Sequence, residues 1–182
     1  MLEFLRRLAA LLVLACGPLL AAEPATLETV QTLDAARYLG AWHEIAMIPN
    51  FFQRKCVRDT RAEYAAGEGG TIVVRNRCVN AEGGMESITG TARRIDAGDP
   101  TRLQVRFAPD WLAWLPMVWG DYWVIGLAPD YSYAVVGDPS REYLWILSRT
   151  STLDAVAYQK AVEAAVSNGF DPNRLVRTKQ SL

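Results

Sequence analysis

Residues 39–149 form a series of short β-rich runs, interrupted by turn residues at intervals of roughly ten residues. The breaks contain glycine, proline, asparagine or aspartate, which favour turns. Eight runs are predicted as strands, over residues 41–48, 57–65, 71–78, 86–95, 102–107, 121–127, 131–136 and 143–149. The spacing is typical of an all-β sandwich or barrel.

The periodicity changes after residue 150, where apolar residues recur at helical spacing. They are Leu153, Val156, Ala157, Ala161, Ala164 and Ala165. Ser151 and Asp154 form a start similar to a capping box, and Gly169 with Pro172 supplies the stop. We therefore predict one amphipathic helix whose apolar stripe packs on the outside of the sheet. The run at 174–178 is compatible with an additional edge strand.

The composition narrows the possible functions. The chain has 182 residues, 51% of them hydrophobic, which predicts one globular domain with a sizeable core. Its formal net charge of −1 gives no electrostatic reason to expect a nucleic acid as the partner. His43 is the single histidine, so a two-histidine metal site is excluded and histidine-based catalysis would depend on this residue alone. We predict no metal site and no cofactor.

The N-terminal segment has the organisation of an export signal. Two arginines precede the apolar run 8–15, and small residues follow it. The apolar stretch is at most about 14 residues long and is interrupted by Gly17-Pro18, whereas about 20 residues are needed to cross a bilayer. We therefore predict that residues 1–22 are an export signal.

Two processing routes fit this signal. Val13-Leu14-Ala15-Cys16 resembles a bacterial lipobox, in which the signal covers residues 1–15 and Cys16 is lipidated. The alternative is ordinary cleavage after Ala22. Residues 23–32, which follow the signal, are interpreted as a linker. Both routes place the mature chain outside the cytoplasm, where disulfides persist. An outer-membrane lipoprotein facing the periplasm is slightly favoured over a soluble periplasmic protein.

Cys56 and Cys78 are predicted to form a disulfide. If the second hairpin turns near Gly67, residues whose numbers add up to about 134 stand opposite each other, and the two cysteines satisfy this sum. The bond would close a loop of about 23 residues and stabilise the fold by roughly 3 kcal/mol. The alternative is a pair of reduced, packed cysteines.

Three motifs carry a resemblance to the lipocalin family. Residues 38–46, with Gly40 and Trp42, resemble the family's Gly-x-Trp signature; Pro129-Asp130-Tyr131 resembles the second motif; and residues 143–149 resemble the third, which ends in an arginine. The similarity covers about residues 33–178, and we assign residues 33–182 as one lipocalin domain. It is greatest to the bacterial outer-membrane lipocalins related to apolipoprotein D.

The resemblance implies an eight-stranded antiparallel up-and-down β-barrel with one C-terminal α-helix packed outside. It also implies a structural barrel floor, formed by Gly40, Trp42, Asp130, Tyr131 and Arg149. A guanidinium over the Trp42 indole would add a cation–π contact of roughly 0.5 to 2 kcal/mol. The family position after this tryptophan is usually tyrosine and is His43 here, a departure next to the closed end.

The loops predicted at the opposite, open end are unusually apolar. Phe51 and Phe52 occupy the first loop, and Trp111, Trp114 and Trp119 lie in the loop 108–120. A solvated loop would not be expected to carry such a cluster. The loop is therefore a buried lid, the mouth that receives an acyl chain, or a segment that enters a membrane interface.

Alternation predicts which side chains line the barrel. Starting from Trp42, it places Glu44, Ala46 and Ile48 inside, and Phe107 follows from the fifth strand. These positions are mostly apolar, as in a ligand pocket with a few polar groups.

The second strand supplies most of the polar groups. Arg58, Thr60 and Tyr64 are predicted to face inward, where Arg58 could meet a carboxylate or phosphate; alternatively, it pairs with Glu44 or faces solvent. The complete predicted ligand-binding set is Glu44, Phe51, Phe52, Arg58, Tyr64, Phe107, Trp111, Trp114 and Trp119.

The function implied by the resemblance is storage or transport of fatty acids or lysophospholipids in the bacterial cell envelope. The predicted partners are a small hydrophobic ligand and a membrane, contacted through the lipid anchor or the tryptophan-rich loop. We predict a protein that is not an enzyme, because the sequence offers no credible nucleophile with its base. The alternatives are an enzyme acting on a lipid inside the barrel and an envelope interaction protein that docks through the tryptophan-rich loop.

Overall fold

The computed structural model describes residues 26–181. The predicted export signal, with Cys16 and both processing sites, lies outside the described residues. No helix within 26–181 is long and apolar enough to cross a membrane.

Eight antiparallel strands close into a barrel. They are β1 (Gly40–Met47), β2 (Arg58–Ala66), β3 (Ile72–Val79), β4 (Met85–Asp96), β5 (Asp99–Arg106), β6 (Gly120–Leu127), β7 (Tyr133–Gly137) and β8 (Leu144–Ser148). Neighbours in sequence pair with each other from β1 to β8, and β1 also pairs with β8, which closes the ring. Each predicted run overlaps one of these strands, so the barrel alternative is confirmed.

A second helix packs on the outside of the barrel, as predicted. Helix α1 (Ala35–Tyr38) precedes the barrel, and helix α2 (Ala155–Ser167) follows it. The Asp154 side chain caps α2 by accepting a hydrogen bond from the backbone N–H of Ala157 at 2.9 Å. The buried face of α2 joins an outer hydrophobic cluster, which includes Ile45, Ile125, Val135, Ile146, Ala161, Ala165 and Phe170.

The chain after α2 returns to the sheet. A short strand β9 (Val176–Arg177) pairs with the end of β1, which confirms the additional edge strand. Beyond it, the backbone N–H of Asp59 donates to the carbonyl of Lys179 at 2.8 Å. The C-terminal tail thus bridges β1 and β2 where these strands no longer pair directly.

Residues 27–30, which fall within the linker predicted over residues 23–32, contact the barrel. Leu27 is buried in the outer cluster, and the backbone N–H of Val30 donates to the Val124 carbonyl at 2.9 Å. The segment packs on the barrel because Leu27 and Val30 have apolar side chains that are buried and partly buried there, respectively.

The disulfide between Cys56 and Cys78 is present, but the register used to predict it was wrong. Tyr64 stands opposite Val74, so paired residue numbers add up to 138 rather than 134. The difference arises because residues 68–70 form a 3₁₀ turn, which moves the centre of the hairpin. Cys56 lies before β2 and joins the end of the first loop to β3.

A β-bulge in β1 overturns part of the predicted inner wall. The register shifts between Glu44 and Ala46, so that Glu44 stands opposite Leu147 and Ala46 opposite Ile146. The extra residue reverses the alternation that follows it. Glu44 therefore keeps its inward position, whereas Ala46 and Ile48 belong to the outer cluster beneath α2.

Candidate functional site

One end of the barrel is closed by a stacked tryptophan and arginine. Trp42 is fully buried and donates its indole N–H to the Tyr38 carbonyl at 2.8 Å. The Arg149 guanidinium lies 3.7 Å from the centre of the Trp42 ring, and its Nη1 donates to the carbonyls of Leu39 and Ala41, each at 3.0 Å. The predicted cation–π contact is therefore present, together with hydrogen bonds that fix the entry into β1.

Gly40 permits this arrangement. Its φ of +96° is accessible to glycine, and a Cβ atom would stand 3.4 Å from Arg149 Nη1. Tyr131 also belongs to the closed end, since its hydroxyl accepts a hydrogen bond from the Asp34 backbone N–H at 2.8 Å. Asp130 accepts from the Ser132 backbone N–H at 3.0 Å and shapes the turn.

Three tyrosine hydroxyls form a chain inside the barrel near this end. Tyr122 Oη lies 2.8 Å from Tyr38 Oη and 2.8 Å from Tyr64 Oη. Burial raises the pKa of Tyr64 to about 12 and holds the pKa values of Tyr38 and Tyr122 well above the ordinary range. All three hydroxyls therefore remain protonated near neutral pH.

The wall toward the other end is apolar and open to solvent; we call this open part of the barrel interior the cup. Ile88 is on the inner face, the same face as the floor residue Trp42. Successive cross-strand pairs connect the two: Trp42 pairs with Ala62, Ala62 with Asn76, and Asn76 with Ile88. The Ile88 side chain is nevertheless 50% exposed. Phe107 also lies inward, with its ring against Gly90 on β4, and is 37% exposed. Exposed apolar side chains on a concave inner wall are the makeup of a hydrophobic ligand site.

The first loop folds over the rim of the cup. Phe52 packs near Tyr143 and Trp145 of the barrel, with ring centres 5.5 and 6.2 Å away, but remains 54% exposed. Phe51 packs edge-on against Phe52. The predicted apolar residues of this loop thus border the opening.

Glu44 is inside the barrel but is occupied by the protein itself. Gln53 Nε2 donates to one carboxylate oxygen at 2.7 Å, and Thr178 Oγ1 donates to the other at 2.5 Å. Burial raises the pKa of the Glu44 carboxyl, and the two hydrogen bonds oppose this shift. Glu44 thus joins β1 to the first loop and the C-terminal tail, and both of its carboxylate oxygens already accept hydrogen bonds from the protein.

The inward placement of Arg58 was wrong. A bulge lies between Arg58 and Arg61, so Arg58 stands opposite Val79 instead of sharing a face with the inward residues that follow. Its guanidinium pairs with Asp59 at 2.5 Å and donates to Ser181 Oγ at 2.6 Å. Arg58 secures the C-terminal tail and leaves the cup without the predicted cation.

The tryptophan-rich loop is divided between two environments. Trp119 packs on the outer wall, where the Arg93 guanidinium lies 3.8 Å from the centre of a ring of its indole, and it does not line the mouth as predicted. Trp111 and Trp114 are 73% and 76% exposed, which contradicts the buried-lid alternative. Arg106 anchors the loop by donating to Asp110 at 2.5 Å.

Sequence reasoning missed two members of the tyrosine chain. Tyr122 shares the inward face of β6 with Val124, so alternation within that strand was a usable signal. Tyr38 gives no such signal, because it lies in α1 and reaches the barrel interior from the closed end. Asn76 was also missed; its amide oxygen is buried on the inner wall and has no hydrogen-bond partner among residues 26–181.

A closed barrel with a sealed floor and an open apolar cup is a small-molecule-binding barrel. A family model described as a lipocalin-like domain matches residues 33–180. The chain belongs to the lipocalin family, whose members are in general proteins that bind small hydrophobic ligands.

The relatives come from plants, bacteria and animals. The chain is 44% identical to temperature-induced lipocalin-1 of Arabidopsis thaliana over 161 residues, covering 87% of this chain and 86% of the relative. It is 34% identical to outer membrane lipoprotein Blc of Escherichia coli K12 over 172 residues, covering 94% and 92%. Mouse apolipoprotein D is 32% identical over 162 residues, covering 83% of this chain and 79% of the relative.

Solved structures share the fold. Lobster apocrustacyanin A1 superposes with a TM-score of 0.65 at 20% identity, over 84% of this chain and 82% of that chain. Insecticyanin from the tobacco hornworm Manduca sexta gives a TM-score of 0.65 at 22% identity, over 85% of each chain.

Proposed function

We propose that this lipocalin stores or transports fatty acids or lysophospholipids in the bacterial cell envelope. The observation that carries the proposal is the open cup, whose inner wall and rim expose Ile88, Phe107 and Phe52. An acyl chain that covers these side chains removes apolar surface from water on both partners, which favours binding by about 25 cal/mol per Å² buried.

The envelope location rests on the N-terminal sequence and on relatives. The export signal predicted over residues 1–22 directs the chain out of the cytoplasm, and the disulfide suits an oxidising compartment. The similarity to an Escherichia coli protein named as an outer membrane lipoprotein supports lipidation of Cys16. We therefore propose an outer-membrane lipoprotein that faces the periplasm.

Equilibrium titration of the delipidated protein with an acyl fluorophore tests ligand binding. We expect saturable binding with one site per chain. Ile88→Asp should weaken it at least tenfold, because a carboxylate then faces the hydrocarbon. Val73→Asp is the matched control, since Val73 is 38% exposed and lies on the outer face of the neighbouring strand. Binding that is absent in folded protein, or equal in both variants and the wild type, would refute the proposal.

The exposed part of the tryptophan-rich loop favours a second role in membrane docking. Trp111, Trp114 and Met117 are 73%, 76% and 85% exposed, and tryptophan rings are favourable at the membrane–water interface. Docking there would let the lipocalin exchange lipid with a bilayer.

Vesicle co-sedimentation separates docking from binding in the cup. Trp111→Ser/Trp114→Ser should release the unlipidated protein from phospholipid vesicles and leave its affinity for the acyl fluorophore within twofold. If this double variant sediments with vesicles as the wild type does, the loop does not dock.

A further inference from the structure

The tyrosine chain always has a hydroxyl proton to spare. Tyr38, Tyr122 and Tyr64 carry three hydroxyl protons, whereas only two hydrogen bonds link their hydroxyl groups to each other. Whichever way the protons are arranged, one O–H has no acceptor within the chain. No other hydrogen-bond partner of these hydroxyls occurs among the residues that the structure describes.

One positive charge acts on the tyrosine chain: the Arg149 guanidinium opposes part of the effect of burial on the pKa values of Tyr38 and Tyr64. The Arg149 guanidinium, under the floor, bonds to backbone carbonyls, and no carboxylate lies within ion-pairing distance of it in residues 26–181. The tyrosine hydroxyls themselves are protonated, and therefore they add no negative charge. A ligand oxygen that accepts a hydrogen bond, and above all an anionic one, suits this position.

Polar groups of the barrel interior lie near the floor and the exposed apolar groups lie toward the rim. A lipid that enters tail first would require the reverse. The interior near the floor carries the three hydroxyls, whereas the wall above them and the rim expose Ile88, Phe107 and Phe52. A hydrocarbon end pressed against the hydroxyls would leave the spare O–H without a partner, which is unfavourable. A polar end placed there would satisfy it and leave the hydrocarbon against the apolar wall.

We propose that the tyrosine chain binds the carboxylate of a single-chain fatty acid, which enters the cup head first with its hydrocarbon toward the rim. Tyr122 is the central positioning group, because it contacts both other tyrosines and retains partial solvent exposure. This inference rests on the proposed function and narrows it to free fatty acids in preference to lysophospholipids, whose larger zwitterionic head would have to reach the floor.

The test is displacement of the uncharged dye N-phenyl-1-naphthylamine from the delipidated protein by oleate and by methyl oleate. For the wild type, we expect oleate to act at a concentration at least tenfold below that of its ester. Tyr122→Phe should raise the oleate concentration about tenfold and leave the ester within twofold. Tyr143→Phe, at the rim, is the matched control and should preserve the wild-type ratio. Tyr64→Phe provides a second variant if Tyr122→Phe does not fold by circular dichroism.

Three results would overturn the inference. If oleate and methyl oleate displace the dye from the wild type at equal concentrations, binding does not need the carboxylate. The inference then fails, while the proposed function is still supported. A loss of oleate binding in Arg54→Gln/Lys55→Gln, with none in Tyr122→Phe, places the head at the rim, because these two cations belong to the first loop. If neither lipid displaces the dye or binds directly, the proposed function fails and the inference fails with it.

Discussion

Replacing Arg149 by alanine should destabilise the barrel far more than an ordinary arginine substitution. The change removes the cation–π contact with Trp42, worth roughly 0.5 to 2 kcal/mol. It also removes charged donors from the carbonyls of Leu39 and Ala41, each bond worth about 1.5 to 3 kcal/mol. Arg149 is partly exposed, so water replaces part of these bonds, and we expect a loss of about 3 to 5 kcal/mol.

Urea denaturation followed by far-ultraviolet circular dichroism measures this loss. Arg102→Ala is the matched control, because Arg102 lies 4.7 Å from the Trp123 ring centre and pairs with Asp99 at 3.4 Å on the exposed outer wall. That substitution should cost less than about 1 kcal/mol. Arg149→Lys should be intermediate, since lysine keeps the charge but cannot span both carbonyls. If Arg149→Ala costs no more than Arg102→Ala, the floor is not stabilised as described.

Three further perturbations have defined outcomes. Reducing the disulfide should lower the free energy of unfolding by about 3 kcal/mol, measured with and without dithiothreitol; an unchanged midpoint would contradict this. Burial raises the pKa of Glu44, so its contribution to stability is present below the ordinary glutamate pKa and is lost as pH rises through the folded-state pKa. The stability of Glu44→Gln relative to the wild type should therefore increase between about pH 4 and pH 7 in urea titrations, whereas a constant difference would refute the assignment. Gly137→Ala should lower the thermal midpoint by several degrees, because the new Cβ would stand 2.5 Å from the Phe170 ring; Gly98→Ala, with its nearest contact at 3.6 Å, should leave the midpoint within about 2 °C.

The fold was predictable because strand spacing, the helical stripe and the floor motifs are local patterns. Trp42 and Arg149 could each be assigned from neighbouring residues. Ser151 and Asp154 located the start of α2, but the N-cap is Asp154 and the helix begins at Ala155. The disulfide was also found, although the turn at residues 68–70 shifted the register on which its prediction depended.

The inner wall was less predictable because bulges reverse alternation without an obvious sequence signal. One extra residue in β1 moved Ala46 and Ile48 to the outer cluster. Another bulge at the start of β2, where Asp59 adopts a φ of 55°, turned Arg58 toward the C-terminal tail. The tail contact joins residues far apart in sequence, and local pattern carries no information about it.

Native mass spectrometry of the protein purified from envelopes, after expression with its own N-terminal segment, tests the central claim most directly. We predict a complex in which one chain carries one lipid with a single acyl chain, and tandem fragmentation should release that lipid. Protein that is purified without lipid, and that takes up neither oleate nor a lysophospholipid after delipidation, would contradict the assignment of the cup as a lipid site.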